Sequence, residues 1–494
     1  MAIRDGKFTA VGSDAEVMAS VGPQTNAVDL AGKPVTPGII DGHCHALWLG
    51  VNLLCDVQLA HVRSAEDIVA AIGEAAIRKK PGEWIVTAPN WRTYEVKRYP
   101  SLAELDVVAP VNPVWVKVGA HRGFTNSLGL ELAGITRDEP DPAGGTVVKD
   151  DTSGEPTGML EESAQQLVTR LLPPVDRAKA LDKACSFYNS LGVTGVQDEG
   201  VEPAEIAAYR TAKAAGKLTL RCGLMHMINP SQSREELSGI IRSLAGAGLG
   251  KHGDETLRVM GLKTFNETIV PMPGKPLWPT DYLREVLLEA AEAQLRVAIH
   301  SQAGATEVNL GLYEEVNRRF PIKHLRWAIV HQRFTTPDWV QLNKELGLVL
   351  NQDLAFGLIS LAAVEKLRRA ALPERLYCPL PLYIEAGVPF CLNSDGGGSS
   401  TELSVWSAMR VATHREGWPD FNPEYGISRE QALRAITMGG AYKMMLEDKI
   451  GSIEVGKLAD LAVLTADPLT CPGDELRDIK AEMTMVGGRV VYEH

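Results

Sequence analysis

The stretch RVAIHSQAGATEVNLGLYEEVNRRFPIKHLRWAIVH, residues 296–331, holds two short apolar runs that each end in a histidine, His300 and His331. RVAIHS and RWAIVH are apolar almost throughout, as strands covered on both faces must be. Between them, VNLGLYEEVNRRF reads as a helix. Strand, crossover helix and strand form a unit that produces parallel pairing.

The unit recurs on both sides. GVTGVQDEG (192–200) precedes EPAEIAAYRTAKAAG, and TLRCGLMHM (219–227) precedes SREELSGIIRSLAGAG. LRVMGLKTF (257–265) leads to the helical TDYLREVLLEAAEAQ (280–294). Beyond residue 331 come a helix at 336–346, then GLVLNQDL, and later VPFCLNSD (388–395). Six or more consecutive units favour a closed (β/α)8 barrel over an open doubly wound sheet. No GxGxxG or GxxxxGK[ST] follows any of these strands, so dinucleotide and P-loop readings lack support.

Two regions break the alternation. Residues 60–175 are rich in Pro, Gly and Asp around a short PVWVKVG run, which reads as a long insertion after the first barrel strand. The chain ends carry hairpin-like pieces instead: IRDGKFTAVGS, KIGSIEVGKLADLAVLT and AEMTMVGGRVVYEH. The expected class is therefore α/β, a TIM-like barrel over 37–449 with a small β-sandwich built from 1–36 and 450–494.

Composition sets the bounds. The 494 residues are 45% hydrophobic and carry a net charge of −12, with basic residues scattered. A nucleic-acid binder needs a basic face and a polybasic membrane anchor needs a cluster, so neither partner is expected. The opening MAIRDGKFTAVGSDAEV has no signal-peptide core, and no window reaches the roughly 18 apolar residues of a membrane span. The seven cysteines are dispersed without a CxxC pair and read as reduced, in keeping with a cytoplasmic protein.

The chemistry gathers at strand ends, where barrels of this kind carry their active sites. DGHCHALW (41–48) follows an apolar run, and on a strand residues i and i+2 share a face, so His43 and His45 can aim at one ion while Cys44 points away. His300, His331 and Asp395 each stand as the first metal-capable group after an apolar run. Any one of them could be a helix cap or a satisfied polar residue, but four strand ends behaving alike point to a metal site. Imidazoles with a carboxylate suit zinc or a similar divalent ion. Lys263, flanked by apolar residues in VMGLKTF, has two readings. Its stem crosses the barrel wall to solvent, or its amine is desolvated and able to take up carbon dioxide as a metal-bridging carbamate.

VTPGIIDGHCHALW, the strand-end His300 and His331, the NSD aspartate and the closing AITMGGAYKMMLEDKIGSIEVGKLADLAVL together resemble the amidohydrolase superfamily. HRGFTNSLGLELAGIT (121–136) and DPAGGTVVKDDTSGEPTGMLEESA (141–164) resemble its family 3 branch, which includes N-substituted formamide deformylases. The resemblance implies one or two ions in the barrel mouth, with His43, His45 and Asp395 holding one and His300 and His331 the other. It places Lys263 where the family has a bridging carboxylated lysine, with Glu162 as a reserve bridging or pocket carboxylate. The sequence departs from the branch after Lys263 (NET, 266–268), after His300 (SQAGA) and before His331 (Val330), which puts the branch's substrate preferences in doubt. It also opens without the strand that usually precedes MAIRDGKF, so either a trimmed sandwich or a misplaced start codon is expected.

The expected activity is hydrolysis of an amide, formamide or cyclic amide C–N bond by a metal-activated hydroxide. Asp395 would shuttle the proton, and His331 or a second ion would polarise the carbonyl. Trp48, Trp91, His121, Asn126, Trp278 and Phe356 are candidate pocket walls, and the tryptophans favour an apolar or aromatic substituent on a small-molecule substrate. Two alternatives stand beside this: a non-hydrolytic isomerase or decarboxylase on the same ligands, and a degenerate barrel that only binds. A homodimer is left open.

Overall fold

The computed structural model describes the chain apart from residues 92–95, 120–121, 143, 247–253, 268–273, 302–303, 356–374, 398–403 and 415–422. His121 and Phe356 lie outside the described residues. The chain divides into two compact units. One comprises Met1–His45, Cys185–Asp395 and Leu403–His494, the other Ala46–Ala184 and Gly396–Glu402.

The first unit is built on an eight-stranded sheet whose strands run in chain order. They are β1 (Ile39–Cys44), β2 (Val193–Val201), β3 (Arg221–Met227), β4 (Leu257–Phe265), β5 (Arg296–Ser301), β6 (Ala328–His331), β7 (Leu350–Gln352) and β8 (Phe390–Leu392). Every neighbouring pair in that order is parallel. The ring closes between its ends: the Asp395 N–H donates to the His43 carbonyl at 3.1 Å, and the Ser394 N–H donates to the Asp41 carboxylate at 3.1 Å. This is the expected parallel (β/α) barrel.

Strand alternation sorts the side chains. On β5, Val297 and Ile299 pack outward with Leu287, Tyr313 and Trp327, while Ala298 faces inward beside Met225, Met260, Ala328 and Val330. The outer helices, among them Thr280–Glu292 and Thr306–Arg319, supply Val286, Leu287, Leu310 and Val316 to that core. Two buried rings also satisfy backbone carbonyls, Trp327 Nε1 on Leu295 at 2.8 Å and Tyr313 Oη on Ala328 at 3.0 Å. Buried polar tips need such partners.

The two chain ends meet in the same unit. The strand Val35–Pro37 pairs with Leu461–Leu464, which continues through Ala481–Val486 to Arg489–Glu493 in a four-stranded antiparallel sheet. The hairpin of Ala2–Arg4 and Lys7–Ala10 adjoins it, with the Phe8 N–H on the Lys457 carbonyl at 3.0 Å.

The second unit holds its own five-stranded sheet, in the order Ile85–Val86, Val114–Val118, Arg122–Thr125, Pro156–Glu162, Gly145–Lys149. Helices Ala65–Arg78 and Leu102–Val108 share a core with it through Ile68, Ile72, Leu105, Val114 and Val116. The unit of Ala46–Ala184 and Gly396–Glu402 thus has a core of its own. Among the described residues no helix is long and apolar enough to cross a membrane.

Candidate metal centre

The residues at the barrel strand ends converge as their sequence positions suggest. His43 Nε2 lies 3.2 Å and His45 Nε2 3.6 Å from Asp395 Oδ1, and the three donor atoms fall within 4.8 Å of one another. Between the two histidines, Cys44 turns elsewhere, its thiol on the Gln197 carbonyl at 3.7 Å. His331 Nε2 faces His300 Nδ1 at 3.0 Å, and the His331 ring stands 5.4 Å from that of His43. His331, Asp353 and Asp395 form a second convergent donor set.

Backbone geometry explains part of this. On β6, Ala328 and Val330 face inward and Ile329 outward, so strict alternation would send His331 into the outer core. Its φ of +76° breaks the extended path and brings the ring back beside His300. Asp395 also sits in the left-handed region, at φ +49°. Such conformations cost on the order of 1–3 kcal/mol and gather at functional sites.

Electrostatics prepare the donors. Burial, reinforced by the nearby His43, lowers the His45 imidazole to about 4. Burial and the neighbouring His331 hold His300 well below its ordinary value. For His331, burial outweighs the pull of Asp353 and Asp395 and leaves it lowered. These three rings keep bare lone pairs near neutrality. Asp395 is pushed up by burial but pulled further down by His331 and His43, to about 2, so it is ionised. His43 is the exception: burial lowers it, yet Glu199 prevails and raises it. Neutral imidazoles and an ionised carboxylate are what a divalent cation requires. Among the described residues His300 Nε2 is buried without a hydrogen-bond partner, a further nitrogen that can face an ion. The residues present fit a metal ion.

Three supporting residues escaped the sequence reading. Glu199, fully buried, holds His43 Nδ1 at 3.0 Å and Lys263 Nζ at 3.0 Å. Lys443, also fully buried, reaches Glu199 Oε1 at 2.6 Å and donates to the Gly42 carbonyl. Asp353 meets His331 Nδ1 at 3.0 Å and pairs with Arg333. Two of them could have been found from sequence, since Glu199 and Asp353 also end apolar strands, in GVTGVQDEG and GLVLNQDL. Lys443 gives no such signal.

The candidate wall residues divide differently. Trp278 is buried, its Nε1 on Thr264 Oγ1 at 2.9 Å and the Phe265 carbonyl at 3.1 Å. In the second unit, Trp91 is buried with Nε1 on the Lys117 carbonyl at 2.8 Å. Asn126 caps helix Ser127–Ala133 and bonds Val114, Ala109 and Asn112. These three side chains are committed to the framework. Trp48, also in the second unit, is 44% exposed. Glu162 ends the strand Pro156–Glu162 there at φ +48°, with its side chain exposed.

Residues 26–492 match the amidohydrolase family. Over 99% of its length the chain is 29% identical to the N-substituted formamide deformylase of Arthrobacter pascens, covering 94% of that protein. An uncharacterized metal-dependent hydrolase of Pyrococcus furiosus superposes with a TM-score of 0.70 at 23% identity, over 95% of both chains. An adenosine deaminase of Xanthomonas campestris with bound zinc superposes with a TM-score of 0.56 at 14% identity, over 99% of this chain and 87% of that one. The chain belongs to the amidohydrolase family. It is a metal-dependent hydrolase on a (β/α)8 barrel.

Proposed function

We propose that this enzyme hydrolyses an amide-type C–N bond of a small molecule, with an N-substituted formamide as the first substrate to try. One observation carries the site: His43, His45 and Asp395 each bring a donor atom within 4.8 Å of the others at the barrel's strand ends. Nitrogen and oxygen donors in this number suit zinc with a position left for water. The relative from Arthrobacter pascens, similar along nearly the whole chain, supports the formamide. The zinc in the Xanthomonas campestris structure supports that metal.

His43, His45 and Asp395 would hold a divalent ion there, which would lower the pKa of a water and polarise a carbonyl. The chain's own residues manage the protons. Asp395, ionised, accepts the proton that the attacking water loses and passes it to the leaving nitrogen. His331, fixed from behind by Asp353, keeps Nε2 turned into the site beside His300. The water oxygen bonds to the carbonyl carbon, the C–N bond breaks, and a carboxylate and an amine result. No serine or cysteine nucleophile is needed.

The test is metal analysis of protein made with zinc or manganese supplied, followed by turnover of formamides, acyl amides and cyclic amides in heavy-oxygen water. Bound metal and label in the product carboxylate are expected. Protein that holds close to no metal, or product without the label, overturns the reading.

A further inference from the structure

Behind His43 lies a buried network that the proposed reaction does not use. Glu199, Lys263 and Lys443 are all fully buried, and burying three charges together is costly unless each finds its partners. Here they do. Glu199 Oε2 faces His43 Nδ1 and Lys263 Nζ, each at 3.0 Å. Glu199 Oε1 accepts from Lys443 Nζ at 2.6 Å and from Gln197 Nε2 at 2.8 Å. Lys443 also binds the carbonyl of Gly42, the residue before His43.

We infer that Glu199 is a positioning residue for the metal site, holding His43 by Nδ1. The inference rests on His43 as a ligand. A carboxylate that accepts from one imidazole nitrogen fixes the tautomer and turns the other nitrogen to the ion. Here that other nitrogen is Nε2, 3.2 Å from Asp395 Oδ1. The aim of Glu199 comes from a bulge: β2 shifts register between Glu199 and Val201, where Gly200 has φ +93°. The neighbouring Asp198 goes instead to the Tyr209 hydroxyl at 2.5 Å.

The inference is tested on the full-length protein by zinc competition against a chromophoric chelator, with Glu199→Gln and Glu199→Asp. Glu199→Asp keeps a negative charge in the buried network but shortens its reach to His43, so it separates positioning from folding. Both variants are expected to lose about 10–100-fold in zinc affinity, with the unfolding midpoint of metal-free Glu199→Asp near that of the parent. Cobalt-loaded Glu199→Asp is expected to show an altered visible spectrum. Unchanged zinc affinity in Glu199→Asp overturns the inference. His43→Ala keeps the two proposals apart: if it binds zinc as the parent does, the metal site itself is misplaced, whereas its loss beside an unaffected Glu199→Asp sinks this inference alone.

Discussion

His331 Nδ1 lies 3.0 Å from Asp353 Oδ1, and Arg333, two residues beyond His331, closes on the other oxygen of the same carboxylate. All three are buried. Burial pushes Asp353 up, but Arg333 and His331 overcome it and hold the carboxyl below its ordinary range. Arg333, lowered by burial, is raised overall by Asp353. The pair gives His331 a fixed orientation despite its left-handed backbone.

Asp353→Asn keeps the shape and removes the charge, which leaves a buried guanidinium without its counter-ion. Breaking a buried pair costs about 3–5 kcal/mol, and losing the support behind an active-site imidazole costs about 10–100-fold in activity. Thermal unfolding and steady-state kinetics check both. A variant with parental stability and kcat would show that Asp353 neither pairs nor positions.

Asp395→Asn should keep the fold and lose the proton shuttle. The amide can neither accept the water's proton nor supply a full ligand charge, so kcat/KM is expected to fall by about 10²–10⁴-fold. His43→Ala should lose metal as well as activity while circular dichroism stays native. Full activity in either variant would overturn the proposed site.

How far the site was legible follows from where its residues sit. His43, His45, His300, His331 and Asp395 close apolar runs, which marks them in the sequence, and the structure brings them together. Glu199 also ends an apolar run, but Asp198 precedes it, and the bulge at Gly200 decides which carboxylate reaches His43. Lys443 lies in the short helix Gly440–Lys443, far along the chain, where nothing local announces a partner at Gly42 and Glu199. The barrel was legible from repeated strand and helix units. The pairing of the second unit's sheet was not, because its strands are short and set by distant partners such as Val114–Val118 with Arg122–Thr125 and Ile85–Val86. Trp91 and Trp278 looked like pocket walls from their size. Their indole N–H groups are bound to backbone carbonyls instead.

The lowered imidazoles predict acid sensitivity in the metal-free protein. His45 stays neutral in the fold down to about 4, whereas the unfolded chain takes up its proton near 6.5. The unfolded state therefore binds more protons between these values, and stability falls as pH drops through that window, by about 3 kcal/mol for this group. His300 and His331 act in the same direction. Asp395, lowered to about 2, adds a further loss below its ordinary value near 3.8. His43, raised, opposes them and favours the fold below 6.5. Three groups against one give a net decline from pH 7 to pH 4, to be read by urea unfolding of chelator-treated protein. A flat or rising profile would contradict the assignment of neutral rings.

Gly42 should tolerate no side chain. A Cβ there would meet Cys391 Sγ on β8 at 2.4 Å and Cys391 Cβ at 3.1 Å, well inside contact distance. Gly42 lies between Asp41, which receives Ser394, and His43, which receives the Asp395 N–H, so the collision falls on the seam that closes the barrel. Gly42→Ala is expected to destabilise by about 1–3 kcal/mol, as overpacking of a filled core does. It should also weaken zinc binding by moving His43 away from Asp395. Replacing Cys391 with Ala removes the nearer clash and leaves the farther one, so the double variant should recover part of the loss. The coupling energy of the cycle then measures the contact itself. Strictly additive effects would mean that Gly42 is needed for some reason other than the approach of Cys391.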